Sequence, residues 1–218
     1  MTGPGGADPD ATHRRGTVTA GTGAVPWDIG ELQPVLRRLV ADGGLRGPVL
    51  DSGCGAGELS FALAEAGHEV LGVDIAPTAV AAARAEAGRR GLDARFDVAD
   101  LTRLRESPTR FATVVDSVPL RGLDDASVAE HARGLAELAV PGAQLWVLAF
   151  GDRVRLSGIH GRSRERLAEV VGGAWSVDEV TASSISFFAP DGVGAEFGRD
   201  PSGHLLLPVW LLSARRGG

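Results

Sequence analysis

The stretch DSGCGAG at positions 51–57 constrains this chain more than any other. It sets three glycines at alternate positions directly behind an acidic residue, between the apolar run PVL and the helical pattern ELSFALAEAG. A strand that runs into a glycine turn and then into a helix is the entry to an open α/β sheet. Glycine permits backbone conformations that other residues avoid, and it leaves room for a ligand against the main chain. Behind the loop, Leu59, Ala62, Leu63 and Ala66 recur at helical spacing, and Gly67 supplies a stop.

The pattern then repeats. HEVLGVD reads as a second strand ending at Asp74, and Pro77 opens the alanine-rich helix TAVAAARAEAGRR. ARFDVAD and RFATVVDS are third and fourth strands, and DDASVAEHARGLAEL is a helix that stops at Pro141-Gly142. AQLWVLAF is a fifth strand, and a helix near 163–171 precedes two β-rich segments, AWSVDEVTASSISFF and HLLLPVWLLSARR. Ahead of all these, Leu32, Val35, Leu36, Leu39 and Val40 mark a first helix from Ile29 to about Ala41. Alternation of strand and helix predicts parallel strands covered on both faces, and a last pair joined without a helix predicts one antiparallel strand. The expected fold is α/β, a Rossmann-like, doubly wound, mostly parallel seven-stranded sheet. Residues 1–23 read as a flexible arm rich in Gly, Thr and Pro, and 24–218 as a single domain.

Charge and composition exclude some functions. A net charge of −6 lacks the basic face a nucleic-acid footprint needs. Five arginines do cluster in GDRVRLSGIHGRSRER (151–166), which reads first as a solvated loop and helix start. The single cysteine, Cys54, has no internal disulfide partner, which fits a reducing, cytoplasmic location. The longest apolar run, LLLPVWLL, falls short of the roughly 18 residues of a membrane span. No metal-ligand spacing stands out.

In an open parallel sheet the ligand lies beyond the carboxyl ends of the strands. The glycines Gly53, Gly55 and Gly57 fall there, as do Asp51, Asp74, Asp100 and Asp116 at the ends of successive strands. The spacing G-x-G-x-G differs from the dinucleotide pattern G-x-G-x-x-G, whose third glycine falls on Glu58. A carboxylate there would repel a pyrophosphate, and no Gly-Lys-Ser/Thr completes a phosphate loop. Aligned acids suit instead an uncharged ribose, an adenine amino group and a ligand carrying positive charge.

VLDSGCGAG, GVD at Asp74 and VADL at Asp100 together resemble the fingerprint of class I S-adenosylmethionine-dependent methyltransferases, over about Pro48 to Phe150. The resemblance implies S-adenosylmethionine as cofactor and S-adenosylhomocysteine as product. It implies that Gly53, Gly55 and Gly57 hold the methionine part, that Asp74 with Ile75 holds the ribose side, and that Asp100 with Leu101 meets adenine. It implies further that Asp51 anchors the loop near the methionine amino group, while Asp116 and Ser117 close that end. PWDIGELQP (26–34) is similar to the W-D-x-G-x-x-x-P element of thiopurine, thiol and halide methyltransferases, which implies Trp27 as a cofactor or substrate wall and Asp28 as its fixing residue. Relatives of that type continue the fourth strand as D-S-G-L-F-H. Here the run is DSVPLRGL, so Pro119, Leu120 and Arg121 would form the substrate floor.

Methyl transfer is an in-line displacement helped by positioning and by excluding water. A thiol needs no strong base, whereas a phenol or alcohol usually needs one, most often a histidine. His160 and His204 fall in loops within reach of a pocket, whereas His131 lies inside a helix, and no histidine stands out as a base. The expectation is therefore a small-molecule methyltransferase acting on sulfur, with Asp28, Asp116 and Arg121 as candidate catalytic residues. Transfer to O, N or C, a non-methyl reaction such as cyclisation, and a non-catalytic cofactor sensor are the alternatives. Expected partners are a small-molecule substrate and neither nucleic acid nor membrane, with a monomer or homodimer as the assembly.

Overall fold

The computed structural model describes residues 25–99, 109–117, 123–155, 161–190 and 192–218, so the expected arm at 1–23 lies outside the described residues. Its elements are α1 (Pro34–Ala41), β1 (Val49–Ser52), α2 (Glu58–Glu65), β2 (Val70–Asp74), α3 (Pro77–Arg90), β3 (Ala94–Val98), β4 (Phe111–Asp116), α4 (Asp125–Leu138), β5 (Ala139–Phe150), α5 (Arg164–Gly172), β6 (Ser176–Phe187) and β7 (Leu205–Arg215).

All seven strands form one sheet in the order β3-β2-β1-β4-β5-β7-β6. The first five run parallel, and β7 is antiparallel to both β5 and β6. The carboxyl end of β6 therefore lies at the same edge of the sheet as those of β1, β4 and β5. Strand order reverses between β1 and β4, which makes that edge the switch point at which ligands bind.

Central strands are buried on both faces, so they carry apolar residues without a polar alternation. Val49 packs with α1 and α2, whereas its neighbour Leu50 packs with α4 and α5. Val115 and Val114 of β4 divide in the same way. A third cluster joins α2 to α3 through Phe61, Val80, Ala83 and Phe96. Burial of side chains of this size contributes about 1.5–3 kcal/mol each, which makes these clusters the main source of stability.

Helix ends follow local chemistry. Asp124 caps α4 by accepting the Ser127 N–H at 2.8 Å, and Ser163 caps α5 through the Arg166 N–H at 3.2 Å. Gly91 ends α3 in the left-handed conformation. One expectation is corrected: the first helix starts at Pro34 and not at Ile29. Pro34 lacks an N–H and suits a first helical position, while residues before it are held by contacts to β6. β5 also starts earlier than expected, directly after α4 at Ala139, because Ala139 pairs with Phe111 of β4.

Candidate active site

The glycine loop is tied to β2 from behind. The N–H groups of Gly53 and Cys54 both donate to the Val73 carbonyl, at 2.7 and 3.0 Å. Gly53, Gly55 and Gly57 all have positive φ, at 74°, 53° and 99°. They differ in what surrounds them. A Cβ on Gly55 would meet nothing within 4 Å, so open space lies over that peptide. A Cβ on Gly57 would lie 2.7 Å from the Phe61 ring and 3.1 Å from Ala83. What comes close to Gly57 is thus the protein's own core, whereas Gly55 leaves its face clear.

Asp51, on β1, is completely buried beneath the loop. Its Oδ2 accepts the Ser60 hydroxyl at 2.7 Å, whereas its Oδ1 has no hydrogen-bond partner among the described residues. Burial pushes its pKa up to about 7, and the nearby charges of Asp74 and Asp116 add to this. A buried carboxylate oxygen without a partner is costly, and a bound cation or N–H donor would relieve it.

Asp74 ends β2 half-buried. Its Oδ2 accepts the Gly55 N–H at 2.9 Å and its Oδ1 accepts the Ala76 N–H at 2.9 Å. Ile75 is 49% exposed, and Val98, which pairs with Asp74 across the sheet, is 46% exposed. Two open apolar side chains around a carboxylate suit a flat ring system with a polar rim.

Asp116, at the end of β4, is buried between two partners. Its Oδ1 accepts the Ser52 hydroxyl at 3.2 Å, and its Oδ2 lies 2.9 Å from His131 Nε2. Ser117 closes toward the loop, with its hydroxyl 3.5 Å from the Gly53 carbonyl. His131 on α4, set aside in the sequence as lying inside a helix, is thereby brought to the candidate site. Its side chain is 19% exposed. Position 131 lies on the stripe of Val128 and Leu135, at helical spacing, and that stripe was the available signal.

Trp27 and Asp28 belong to a segment running from Val25 to Gln33. Its Pro26 carbonyl accepts the Phe188 N–H just beyond β6, at 2.6 Å. At its other side the charge of Asp28 reaches Glu58, the first residue of α2, and adds to the rise in pKa that burial causes there. The segment is thus tied to the β6 end. His204, expected near a pocket, is engaged otherwise: its Nδ1 lies 3.1 Å from Asp200 Oδ2 and its ring stands edge-on to Phe188 at 4.6 Å. Cys54 packs with Phe61 and Val80, and burial raises its thiol pKa, so it is held as a neutral core group. Asp100, Leu101, Pro119, Leu120, Arg121 and His160 lie outside the described residues. Among the described residues no helix is long and apolar enough to cross a membrane.

The geometry gathers a buried acid with one unpartnered oxygen, a glycine peptide with an open face and an acid flanked by apolar positions along one sheet edge. That arrangement can take a ligand with a cationic end, hydroxyls and a flat ring. Residues 49–142 match the family described as "Methyltransferase domain". The 2-heptyl-1-hydroxyquinolin-4(1H)-one methyltransferase of Mycobacteroides abscessus is 34% identical over 201 residues, covering 88% of each chain. A solved structure described as "Conversion of a Disulfide Bond into a Thioacetal Group during Echinomycin Biosynthesis" superposes with a TM-score of 0.81 at 31% identity, covering 95% of this chain and 90% of the other. Magnesium protoporphyrin IX methyltransferase from Synechocystis PCC 6803, solved with bound S-adenosylmethionine, superposes at a TM-score of 0.61 and 26% identity, over 84% of this chain and 76% of that one. By sequence and by fold, this chain belongs to the class I S-adenosylmethionine-dependent methyltransferases.

Proposed function

We propose that the protein methylates an acidic X–H group on a small molecule, with a ring hydroxyl as the leading acceptor and a thiol as the second. The observation that carries the hydroxyl reading is the contact between His131 and the buried Asp116 beside the glycine loop. The preference for sulfur drawn from the sequence rested on the lack of a visible base, and this pair supplies one. The relative that shares 34% identity over most of its length is named for a hydroxylated quinolone, which supports the same reading. The thiol reading keeps the support of the PWDIGELQP element and of the sulfur chemistry named for the echinomycin structure.

The residues present fit the cofactor. The unpartnered Oδ1 of Asp51 would accept the methionine ammonium, the open face of Gly55 would lie against the methionine end, and Asp74 would receive the ribose hydroxyls with Ile75 and Val98 beside the base. When bound, S-adenosylmethionine supplies a methyl group activated by a sulfonium. The protein's part is to align the acceptor with that carbon and to exclude water. Asp51 and Asp74 carry charge opposite to the cofactor's, so they bind it without phosphate-type contacts. His131 takes the acceptor's proton, and Asp116 stabilises the imidazolium that results.

Two substitutions test these assignments. His131→Gln is expected to lower kcat for a hydroxyl acceptor by roughly 100-fold, the lower end of general-base contributions, and to affect a thiol acceptor far less. The assay is mass-spectrometric detection of methylated 2-heptyl-1-hydroxyquinolin-4(1H)-one and of a matched thiol; equal losses on both would remove His131 as the base. Asp74→Ala is expected to weaken S-adenosylhomocysteine binding by about 1–3 kcal/mol, through loss of a hydrogen-bond acceptor and of its hold on the Gly55 N–H. Calorimetric titration measures it, and an unchanged affinity would exclude Asp74 as the ribose ligand.

A further inference from the structure

Gln33 occupies an unusual place. It is the N-cap of α1, a position that favours Ser, Thr, Asp or Asn, yet its side chain makes no capping bond. Its amide is engaged with two distant backbones instead. Nε2 donates to the Trp27 carbonyl at 3.0 Å and to the Ser186 carbonyl at 2.9 Å, while Oε1 accepts the Ser186 N–H at 2.8 Å. Gln33 therefore pairs with Ser186 as a neighbouring strand would, and in the same act holds the Trp27 peptide.

Ser186 is the hub of this network. It is completely buried, and its hydroxyl donates to Asp200 Oδ2 at 2.7 Å. Asp200 Oδ1 in turn accepts the N–H groups of Ser202 and His204, at 2.9 Å each. A parallel tie, from the Phe188 N–H to the Pro26 carbonyl, lies next to it. Three segments distant in sequence, 25–33, 186–188 and 200–204, are thus joined by one chain of hydrogen bonds at the ligand edge of the sheet. A residue that gives up its local role for a tertiary one marks a place where the structure, not helix stability, sets the requirement.

We propose that Gln33 is a positioning residue: it fixes the Trp27–Asp28 segment to the end of β6 and so sets where Trp27 stands against the bound cofactor. This rests on the reading of Trp27 as a wall of the cofactor site. Without the Gln33 amide, the Trp27 carbonyl loses this donor and the segment loses its side-chain hydrogen bonds to Ser186 while keeping the Pro26–Phe188 tie, so the position of Trp27 is less closely fixed.

The test is a double-mutant cycle read by calorimetric titration with S-adenosylhomocysteine. Trp27→Ala and Gln33→Ala are each expected to weaken binding about tenfold, and the double variant no further, since both remove the same wall. Additive losses would show that Gln33 acts elsewhere and would overturn the proposal, because general destabilisation adds to the loss of a contact. Wild-type affinity in Gln33→Ala beside a weakened Trp27→Ala overturns it too, while leaving Trp27 as a wall. Wild-type affinity in Trp27→Ala overturns the reading of Trp27 itself and the proposal with it. Should Gln33→Ala fail to fold, Gln33→Glu replaces it in the same cycle. That variant keeps the side-chain length and the acceptor for the Ser186 N–H but loses both donated bonds, and the same outcomes decide.

Discussion

Gly57→Ala is expected to destabilise the protein by about 2–4 kcal/mol, whereas Gly55→Ala costs only about 1 kcal/mol of stability and instead blocks the cofactor. Both positions have positive φ, so both replacements carry the strain of placing a Cβ in the left-handed region. The difference lies in their surroundings. At Gly57 the new methyl would stand 2.7 Å from the Phe61 ring, and that ring is held by Phe96 at a centroid distance of 5.8 Å and by Arg90 stacked 4.6 Å from its centroid. The ring cannot withdraw without opening the cluster of Val80, Ala83 and Phe96, so overpacking adds to the strain. At Gly55 nothing lies within 4 Å, so the methyl projects into the space assigned to the methionine end. Thermal unfolding in the absence of cofactor and titration with S-adenosylhomocysteine separate the two effects. Equal losses of stability would show that the open face of Gly55 is not kept clear for a ligand.

Asp51→Asn is expected to weaken S-adenosylhomocysteine binding by roughly 10- to 100-fold at slightly alkaline pH, the range of a hydrogen bond between charged groups. The same substitution should remove a pH dependence of the unliganded protein. The Asp51 carboxyl titrates near its ordinary value of 3.8 when unfolded and at about 7 when folded. Between those values the folded state binds the extra proton, so stability falls as pH rises. The contribution is fully present below about pH 4 and is lost as pH passes about 7. One pKa unit corresponds to about 1.4 kcal/mol, which makes the loss a few kcal/mol for the wild type. An ammonium bound to Oδ1 stabilises the ionised form, so ligand affinity should rise with pH through the same interval. Denaturation with and without ligand at about pH 5 and about pH 8 measures both slopes. A wild type and an Asp51→Asn variant with the same slope and the same affinity would exclude Asp51 as the cation acceptor.

The two substitutions act at the same corner of the molecule for different reasons. Gly57 lets α2 start close against its own core, and Asp51 leaves one oxygen unpaired under the loop. In the proposed site, one wall is built from β1, the loop and α2. The Trp27 segment is added from the far side of the sheet, through Gln33 and Ser186.

The parallel core was legible in the sequence because it depends on local signals. Apolar runs of strand length, helical stripes, Pro77 at a helix start and three glycines behind Asp51 each act within a few residues, and together they imply the order of elements. The antiparallel β7 was legible for a similar reason, since no helix separates it from β6. The start of α1 was not, because Leu32 lies on the stripe of Val35 and Leu36 while its backbone follows contacts to β6 that periodicity does not register. Nor were the partners of the polar residues. Asp51, Asp74 and Asp116 look alike in sequence, each an acid at a strand end. Tertiary structure makes the first a buried acid with a free oxygen, the second a clamp on the glycine loop and the third a partner of His131. It likewise took Gln33, which the sequence placed inside the first helix, and paired it with Ser186, 153 positions away. Local sequence decides which element forms, but the energy of a polar group depends on what is packed against it and on how much water is left. Both are properties of the folded chain.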